Sequence, residues 1–289
     1  MDKVLVGGQA VIEGVMMRRQ DICSVAVREP SGEIAVKTRK VTSLRDKYKI
    51  LNLPFIRGGV ILIESLVVGM KALAFSAQAA GEEEEDKLTD KDIAITMVIA
   101  FILAGAMFVV LPTQAAHLIE GENSDPFWLN TVEGIVRLVI FLAYIAGISL
   151  MKDIRRVFMY HGAEHKTIYC YEKKLPLTVE NIREQKRIHP RCGTSFLLLV
   201  VVIATVVFAF TGWPDIVTRV LSRLLLLPII AGISYEALKL TAKSDNKIAK
   251  LLVMPGLWLQ YMTTREPTDD MLEVAAKALT EVLPKEEAA

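Results

Sequence analysis

Two histidines and a glutamate with the spacing of a metal-binding motif lie near the middle of this 289-residue chain. Residues 160–166 read YHGAEHK, so His161 and His165 are one helical turn apart and Glu164 precedes the second histidine. This H-x-x-E-H order is that of the inverted zinc-protease motif. Two imidazoles at this spacing can bind one ion, and the adjacent carboxylate can act as general base toward water. The pattern predicts metal ligands at His161 and His165 and a catalytic base at Glu164.

The elements that must position these side chains begin with a helical hairpin, predicted over residues 152–195. Apolar residues at helical spacing lead into the two histidines, which places the motif on a helix. Leu175 and Pro176 then favour a turn, and Thr178 is a suitable N-cap for a helix that returns through Ile188. Such a hairpin brings the following residues back beside the first helix.

The returning chain carries His189 and Cys192, which are themselves at a chelating spacing. We expect His189 or Cys192 to supply a third ligand to a divalent metal ion, zinc by this choice of residues. If all four side chains bound the ion, the site would be closed and structural. Three ligands and a water molecule would make it open and catalytic. The sequence leaves that choice open.

A simpler interpretation of the same residues needs no metal. Histidines on a helix beside a membrane often donate to backbone carbonyls or contact lipid headgroups, and a His-Pro-Arg-Cys sequence can simply start a helix. Short motifs also match by chance, without the structural context that gives them meaning. At the level of sequence, the metal site and this structural interpretation stand side by side.

Apolar residues make up 52% of the chain and are concentrated in blocks long enough to cross a bilayer. A helix needs about 20 such residues to span the hydrocarbon core. The first block has no charged residue over 24 positions, and the second confines Glu133 and Arg137 to its first turns. We predict four transmembrane helices, over residues 93–116, 132–151, 196–213 and 216–238.

The distribution of lysine and arginine predicts the orientation of these helices. Residues 1–92, 152–195 and 239–289 hold 14, 10 and seven of them, whereas residues 117–131 hold none. Because cytoplasmic segments of membrane proteins are enriched in these residues, both termini and the central hairpin are predicted to be cytoplasmic. All three cysteines then lie on the reducing side of the membrane, where no disulfide is expected.

Two further apolar segments are predicted to lie at the membrane interface. Residues 58–80 are apolar enough to suggest a span, but a crossing there would move the basic N-terminal segment outside, against the charge bias. An interfacial or re-entrant helix is the preferred interpretation, followed by an acidic linker at residues 82–86. The same interpretation applies to residues 251–262, where Pro255 and Gly256 interrupt the apolar run.

The remaining segments are short and are predicted to be cytoplasmic. Residues 22–27 and 34–38 flank a turn sequence and predict a β-hairpin, and residues 268–283 have the spacing of a terminal helix that docks on the rest. The predicted fold is an all-α integral membrane protein with about four transmembrane helices, interfacial helices and a small N-terminal cytoplasmic β-hairpin element. We divide it into four parts. Residues 1–57 form a β-rich segment, and residues 58–92 form an interfacial helix with its linker. Residues 93–238 form a membrane domain that carries the hairpin, and residues 239–289 form a cytoplasmic C-terminal segment.

Two arginines inside the fourth predicted span need partners. Arg219 and Arg223 lie one turn apart, and charged side chains within a membrane are costly and face the bundle interior or water. We expect a buried polar network with Glu133 or Glu236. Binding of anionic lipid and a transport pathway are the alternatives.

Four other polar or flexible positions are assigned modest roles. Gly7 and Gly8 predict a tight backbone turn at the start of a strand. Glu13 is either a further ligand or a charge at a strand end. His117, on the predicted outer side, has no expected role.

The overall composition excludes several classes of protein. The apolar content is too high for a disordered chain. Three widely spaced cysteines do not form the framework of a disulfide-stabilised secreted domain. The net charge of +1 gives no reason to expect a nucleic-acid partner, so the lipid bilayer and other membrane proteins are the expected partners. The oligomeric state is left open.

Six segments of the chain resemble the YqhQ-like family of bacterial integral membrane proteins. They are GGQAVIEGVMMR (7–18), YHGAEHK (160–166), LPLTVEN (175–181), RCGTSF (191–196), GISYEALK (232–239) and PGLWLQYMTTREP (255–267). The resemblance runs from residue 7 to the C-terminal helix, with no departure at the histidine or cysteine positions. It implies a multi-pass protein of the bacterial cytoplasmic membrane and a domain of unknown function, sometimes described as a predicted metal-dependent enzyme.

The functional hypothesis is a metal-dependent membrane enzyme, hydrolase-like, with its site on the cytoplasmic face. His161 and His165 would be ligands, His189 or Cys192 a third, and Glu164 the general base. The alternative is a non-enzymatic membrane scaffold or assembly factor that binds other proteins through its interfacial segments. A transporter is the third possibility, and four spans without a visible repeat make it less attractive.

Overall fold

The computed structural model describes residues 6–81, 89–121, 124–243 and 247–284. Most of these residues are helical, and the N-terminal segment forms a small sheet. The acidic run at residues 82–86, predicted as a linker, lies outside the described residues.

The α-helices are α1 Leu44–Lys47, α2 Ile56–Ala79, α3 Asp90–Gly105, α4 Leu111–Glu120, α5 Pro126–Ile148, α6 Lys152–Glu172, α7 Val179–Arg183, α8 Gly193–Ala209, α9 Ile216–Lys243, α10 Lys247–Thr263 and α11 Asp269–Thr280. A 3₁₀ turn, Lys49–Asn52, precedes α2, and a π-helical turn, Ala106–Val110, joins α3 to α4.

The sheet has four antiparallel strands in sequential order, β1 Val6–Val11, β2 Gly14–Arg19, β3 Ile22–Arg28 and β4 Ile34–Lys40. The predicted hairpin is confirmed as β3 and β4. A strand was predicted after Gly7 and Gly8, where β1 lies, whereas β2 was not predicted. The tight turn predicted at Gly7 and Gly8 is wrong, since these residues lie within β1 and pair with Arg18 and Met17.

Both faces of the sheet are buried, which its alternating side chains allow. Val15 and Met17 of β2 point to the face covered by α6, α7 and α11. Met16, between them, points to the opposite face and packs with Val68 and other residues of α2. The predicted terminal helix is confirmed as α11, and it docks directly on this sheet. The N-terminal segment is therefore the central layer of a helix–sheet–helix unit.

Four helices are long and apolar enough to cross a membrane, by length and composition: Ile56–Ala79, Lys91–Ile119, Pro126–Ile148 and Val217–Leu240. Their number matches the prediction, but the set differs. Helix α8, predicted as a span over residues 196–213, has 17 residues and ends at Ala209, because the chain turns away through Gly212, which has a φ of +72°. Helix α2, predicted to be interfacial, has sufficient length and hydropathy to be included.

The two halves of helix α2 pack against different parts of the protein. Near its start, Gly59 approaches α9 so closely that an added Cβ would lie 3.1 Å from Cβ of Pro228. In its second half, Val68 and Ala72 pack on the sheet, and Ser76 Oγ accepts a hydrogen bond from the backbone of Ile12 at 3.2 Å. Because the sheet covers that half, the face involved is not available to lipid. The placement of α2 relative to the membrane therefore stays a prediction.

An ion network joins α5 to α9 inside the apolar bundle. Glu133 is fully buried and accepts hydrogen bonds from both Arg137 and Arg223, while Arg223 also donates to Asn130 Oδ1 at 3.2 Å. The predicted pairing of an α9 arginine with Glu133 is thus confirmed for Arg223. Glu236, the other predicted partner, instead accepts two hydrogen bonds of 2.6 Å from Arg57.

Helix α10 continues through the position where an interruption was predicted. Pro255 and Gly256 lie inside the helix, so that prediction is wrong. Gly256 packs against α8, where an added Cβ would lie 2.6 Å from Cβ of Ser195. Pro255 is on the exposed side of the helix. Pro255 thus removes one backbone donor within the helix, and the neighbouring Gly256 packs closely on α8.

We predict that Glu133→Gln destabilises the bundle, because it removes the counter-ion shared by two buried arginines. Breaking a buried ion pair from one side typically costs about 3–5 kcal/mol. Thermal unfolding of the detergent-solubilised protein, followed by circular dichroism, should show a clearly lower midpoint. The control is Glu273→Gln, which removes an exposed partner of Arg28 and should cost about 1 kcal/mol or less. Equal midpoints for the two variants would contradict the structural role of Glu133.

Candidate metal centre

Helix α6 carries the predicted motif into the interior of the protein. His165 and Glu164 are buried, and His161 is half-buried. The helix packs on β1 and β2 on one side and on α11 on the other. His161 and His165 share a face because they are one turn apart, and their ring centroids are 4.4 Å apart. The predicted helical placement of the motif is confirmed.

The hairpin returns the chain to α6 as predicted, although its second helix is shorter than expected. Thr178 caps α7 by accepting a hydrogen bond from the backbone of Asn181 at 3.4 Å, as the sequence suggested. The helix predicted to run through Ile188 ends at Arg183. At and beyond that end, α6 side chains bind the backbone carbonyls: Lys166 donates to the carbonyl of Arg183, and His165 contacts the carbonyl of Arg187.

Cys192 stands at the beginning of α8 and faces the two histidines. Its Sγ caps the helix by accepting from the backbone N–H of Thr194 at 3.4 Å. The same sulfur lies 3.2 Å from Nε2 of His161. One ligand atom from each of His161, His165 and Cys192 can be chosen so that all three lie within 4.8 Å of one another. The structure therefore brings together three of the four predicted metal ligands.

Backbone carbonyls fix the orientation of both histidine rings. His161 Nδ1 lies 2.8 Å from the carbonyl oxygen of Thr263, and His165 Nδ1 lies 2.5 Å from that of Arg187. Because a carbonyl can only accept, each Nδ1 carries a proton, and in a neutral ring the lone pair is then on Nε2, which at His161 faces Cys192 Sγ. Metal-binding histidines are commonly oriented by such a contact from the second ring nitrogen. Burial also lowers the pKa of His165, which keeps its ring neutral.

Glu164 lies beside this cluster and faces strand β1. Burial raises the pKa of the Glu164 carboxyl, while the nearby His161 and His189 and a hydrogen bond from the backbone of Gly8 act in the opposite direction. An added Cβ at Gly8 would lie 2.9 Å from Glu164 Oε1. Glycine is therefore required at position 8 because the carboxyl group approaches the strand backbone. Gly8 is a site residue that the sequence interpretation missed, although a double glycine within a strand is a recognised sign of close approach.

His189, the alternative third ligand, lies outside the three-residue cluster. Its ring packs between those of His165 and Tyr169, at centroid distances of 5.6 and 4.6 Å. Its Nδ1 accepts from the backbone of Arg191 at 3.3 Å. The buried Nε2 has no hydrogen-bond partner among the residues that the structure describes, and Glu172 Oε2 is 3.6 Å away. Burial lowers the pKa of His189 to about 4, so this ring is neutral.

Helix α10 supplies polar partners that the sequence interpretation did not assign to the site. Gln260 is fully buried, and its side-chain amide binds the backbone N–H and C=O of His189, each at 2.8 Å. The same amide donates to Ser195 Oγ at 2.9 Å. Thr263, one turn later, provides the carbonyl that orients His161. The signal that could have found them is the long PGLWLQYMTTREP segment, one of the six that carry the family resemblance.

The remaining predicted candidates are not in the cluster. Glu13 is at a strand end, as the second interpretation of this residue proposed, and accepts hydrogen bonds of 2.6 and 2.5 Å from Arg156. His117, on α4, accepts a hydrogen bond of 3.1 Å from Trp213 Nε1 and is not part of the cluster.

Comparisons with known proteins place the chain in a family. The profile of a family described as a protein of unknown function, DUF1385, matches residues 53–285. The chain is 38% identical over 296 residues to the uncharacterized protein YqhQ of Bacillus subtilis strain 168, covering 96% of this chain and 92% of that protein. No solved structure matches the chain at a significant level. The chain belongs to this family, which the resemblance of its sequence motifs had indicated.

We predict that Gly162→Ala disturbs the site, because the segment after α10 passes over this glycine. An added Cβ would lie 2.1 Å from the backbone carbonyl oxygen of Arg265, which cannot move without displacing the nearby Thr263. A backbone clash of this kind is expected to destabilise the protein by about 1–3 kcal/mol. Thermal unfolding measures this effect.

The matched control for that variant is Gly147→Ala, since Gly147 is also within a helix but has nothing within 4 Å of an added Cβ. Its midpoint should be unchanged or raised, as alanine favours a helix by up to about 1 kcal/mol over glycine. If Gly162→Ala were as stable as Gly147→Ala, the close approach of Arg265 would be refuted.

Proposed function

We propose that this member of the DUF1385 family is a multi-pass protein of the bacterial cytoplasmic membrane and a metal-dependent hydrolase. His161, His165 and Cys192 would hold one divalent ion, and Glu164 would act as the general base. One observation carries the proposal: three side chains of ligand type converge, and the two imidazoles are already oriented by backbone carbonyls.

The donor set fits zinc. Two imidazole nitrogens and one thiolate are ligands that zinc binds in proteins, whereas magnesium and calcium prefer oxygen. The ligands must be neutral imidazole and deprotonated sulfur, and buried His165 is held in its neutral form. Three protein ligands are characteristic of catalytic zinc sites, because they leave a coordination position for water or substrate. His189 lies behind the cluster and does not complete a closed four-ligand set in this structure.

The bound ion would supply Lewis acidity, and the protein would supply the ligands and the general base. Glu164 lies next to His165 in the chain. Its carboxyl group accepts a hydrogen bond from the backbone of Gly8, which holds it beside the cluster rather than in it. A carboxylate in this position can accept a proton from an attacking water and return it to a leaving group. The backbone of β1 keeps the carboxyl oriented, so the strand is part of the proposed active site.

The orientation of the protein in the membrane is part of the same proposal. Helix α6 follows directly on the apolar α5, and Cys192 is the first capping residue of the apolar α8, so the cluster lies at one end of the bundle. The basic residues of the N-terminal segment, the hairpin and the C-terminal segment are at that end. We therefore place the cluster and both termini on the cytoplasmic side. The interfacial helix predicted over residues 58–80 is retained in this arrangement.

A non-enzymatic scaffold is the second candidate, and one observation favours it. Trp258 and Tyr261 of α10 are 62% and 56% exposed on the helix that also supports His189 and His161. Exposed aromatic side chains of this kind occur both at membrane interfaces and at contacts between proteins. In a scaffold, the metal would have only the structural role of fixing α10 against α6.

We predict that the protein purified in detergent contains about one zinc ion per chain, measured by inductively coupled plasma mass spectrometry. His161→Ala and Cys192→Ser should each reduce the bound zinc at least about tenfold, because each removes a ligand. His117→Ala and Cys170→Ser are the matched controls, since they change the same residue types outside the cluster, and both should retain the metal. Wild-type protein without stoichiometric metal would refute the metal site.

We further predict that Glu164→Gln retains the zinc but loses hydrolysis by about 100-fold or more, because it removes the general base. A panel of ester, amide and phosphodiester substrates, tested with the wild type in mixed lipid–detergent micelles, measures the activity. Glu184→Gln, an exposed carboxylate on the same hairpin, is the control and should be fully active. Unchanged activity in Glu164→Gln would show that Glu164 is not the base. A metal-bound wild type without activity on any substrate would favour the scaffold.

A further inference from the structure

A cavity lies at the end of the helix bundle opposite the histidine–cysteine cluster. It has a volume of about 470 Å³ and is lined by residues of α4, by the segment that leads into α9, and by Arg219. Helix α8 begins at Cys192 beside the cluster and has 17 residues, so its other end is about 25 Å away. The cavity is thus separate from the proposed metal site.

The positively charged side chain in the wall of this cavity is Arg219, which forms no ion pair with a carboxylate of the described residues. It is only 6% exposed, and its Nη2 donates to the carbonyl of Pro214 at 2.8 Å. Its guanidinium stacks on Trp213, with Cζ 3.5 Å from the ring centroid. The buried Nε has no hydrogen-bond partner among the residues that the structure describes. A buried donor on a cation is costly to leave unpaired, so a ligand with an acceptor oxygen would stabilise this side chain.

The acidic groups around Arg219 are already engaged. Glu133 is shared by Arg137 and Arg223, so three arginines accompany one buried carboxylate in this part of the bundle. Asp215 lines the cavity and attracts Arg219 electrostatically, but its Oδ1 accepts from the backbone of Val217 and Thr218 and caps α9. In the described part of the chain no acidic side chain forms an ion pair with Arg219. An excess of positive charge inside a membrane bundle requires an anion or water to compensate it.

The cavity offers a second donor next to Arg219. His117 Nε2 accepts the hydrogen bond of Trp213 Nε1 at 3.1 Å, so a neutral His117 carries its proton on Nδ1. The two aromatic rings are 5.3 Å apart and hold each other in place. Gln114, whose side chain is exposed, also lines the cavity and carries an amide N–H donor.

We propose that this cavity binds an oxyanion, a phosphate or carboxylate group, with Arg219 as the charged donor. Guanidinium is well suited to such anions, because its planar N–H groups match their geometry and remain charged in a poorly hydrated site. The anion could belong to the headgroup of an acidic phospholipid or to a free ion from the medium. The proposed site does not depend on metal binding at the other end of the bundle.

The test uses the full-length protein in a mild non-ionic detergent. Native mass spectrometry measures binding of phosphatidylglycerol and, in parallel, of phosphatidylcholine. Thermal unfolding measures the effect of inorganic phosphate, with chloride at matched ionic strength as reference. The variants are Arg219→Gln and Gln114→Glu. The second leaves Arg219 in place and adds a negative charge to the exposed cavity wall, so it tests the site even if the first variant folds poorly. Arg155→Gln, an exposed arginine on α6, is the matched control.

Wild type and Arg155→Gln should bind the anion equally. Both cavity variants should bind it at least about tenfold more weakly, because Arg219→Gln removes an attractive charge and Gln114→Glu adds a repulsive one. Selective retention of phosphatidylglycerol identifies the lipid headgroup as the source. Stabilisation by phosphate without lipid selectivity identifies a free anion. Binding of neither ligand by the wild type, or equal binding by wild type and both cavity variants, would overturn the proposal.

Discussion

Helix α6 is buried while carrying polar side chains, and the surrounding chain is arranged to satisfy them. Between Tyr160 and Cys170 the buried positions include a glutamate, a histidine, a lysine and a threonine. A buried polar group without a partner costs much more than a formed hydrogen bond contributes, so partners for these side chains are obligatory. They come from distant segments: the carbonyl of Arg187 for His165, the carbonyl of Arg183 and the exposed Glu266 for Lys166, and the backbone of Gly8 for Glu164.

This requirement ties the parts of the protein together. Gln260 of α10 holds the backbone of His189 and the side chain of Ser195, and therefore joins the hairpin to the start of α8. Three residues later α10 provides the carbonyl that orients His161. The sheet enters from the other side through β1. A change in the position of α10 would thus be felt at both His161 and His189.

The local part of this site could be predicted from the sequence, and the distant part could not. Spacing placed His161, Glu164 and His165 on one helix, and the cap at Thr178 predicted the return of Cys192, because these relations span few residues. Gly8 and Gln260 are about 150 and 100 residues away from Glu164, and no local pattern connects them. The same holds for the pairing of β1 with β2 and its packing on α6. Helix α8 was predicted too long, since its apolar run continues past the point where Gly212 turns the chain.

The length of α8 also constrains where chemistry can occur. With 17 residues, the helix is about 25 Å long, close to the lower limit for crossing the hydrocarbon core. If α8 crosses the membrane with its neighbours, both of its ends must lie near the boundary of the hydrocarbon. Cys192 at one end and the turn beside Trp213 at the other would then be at the level of the lipid headgroups. A cluster in this position is reached from the membrane surface as readily as from the cytoplasm, so substrates or partners with an apolar part are compatible with its location.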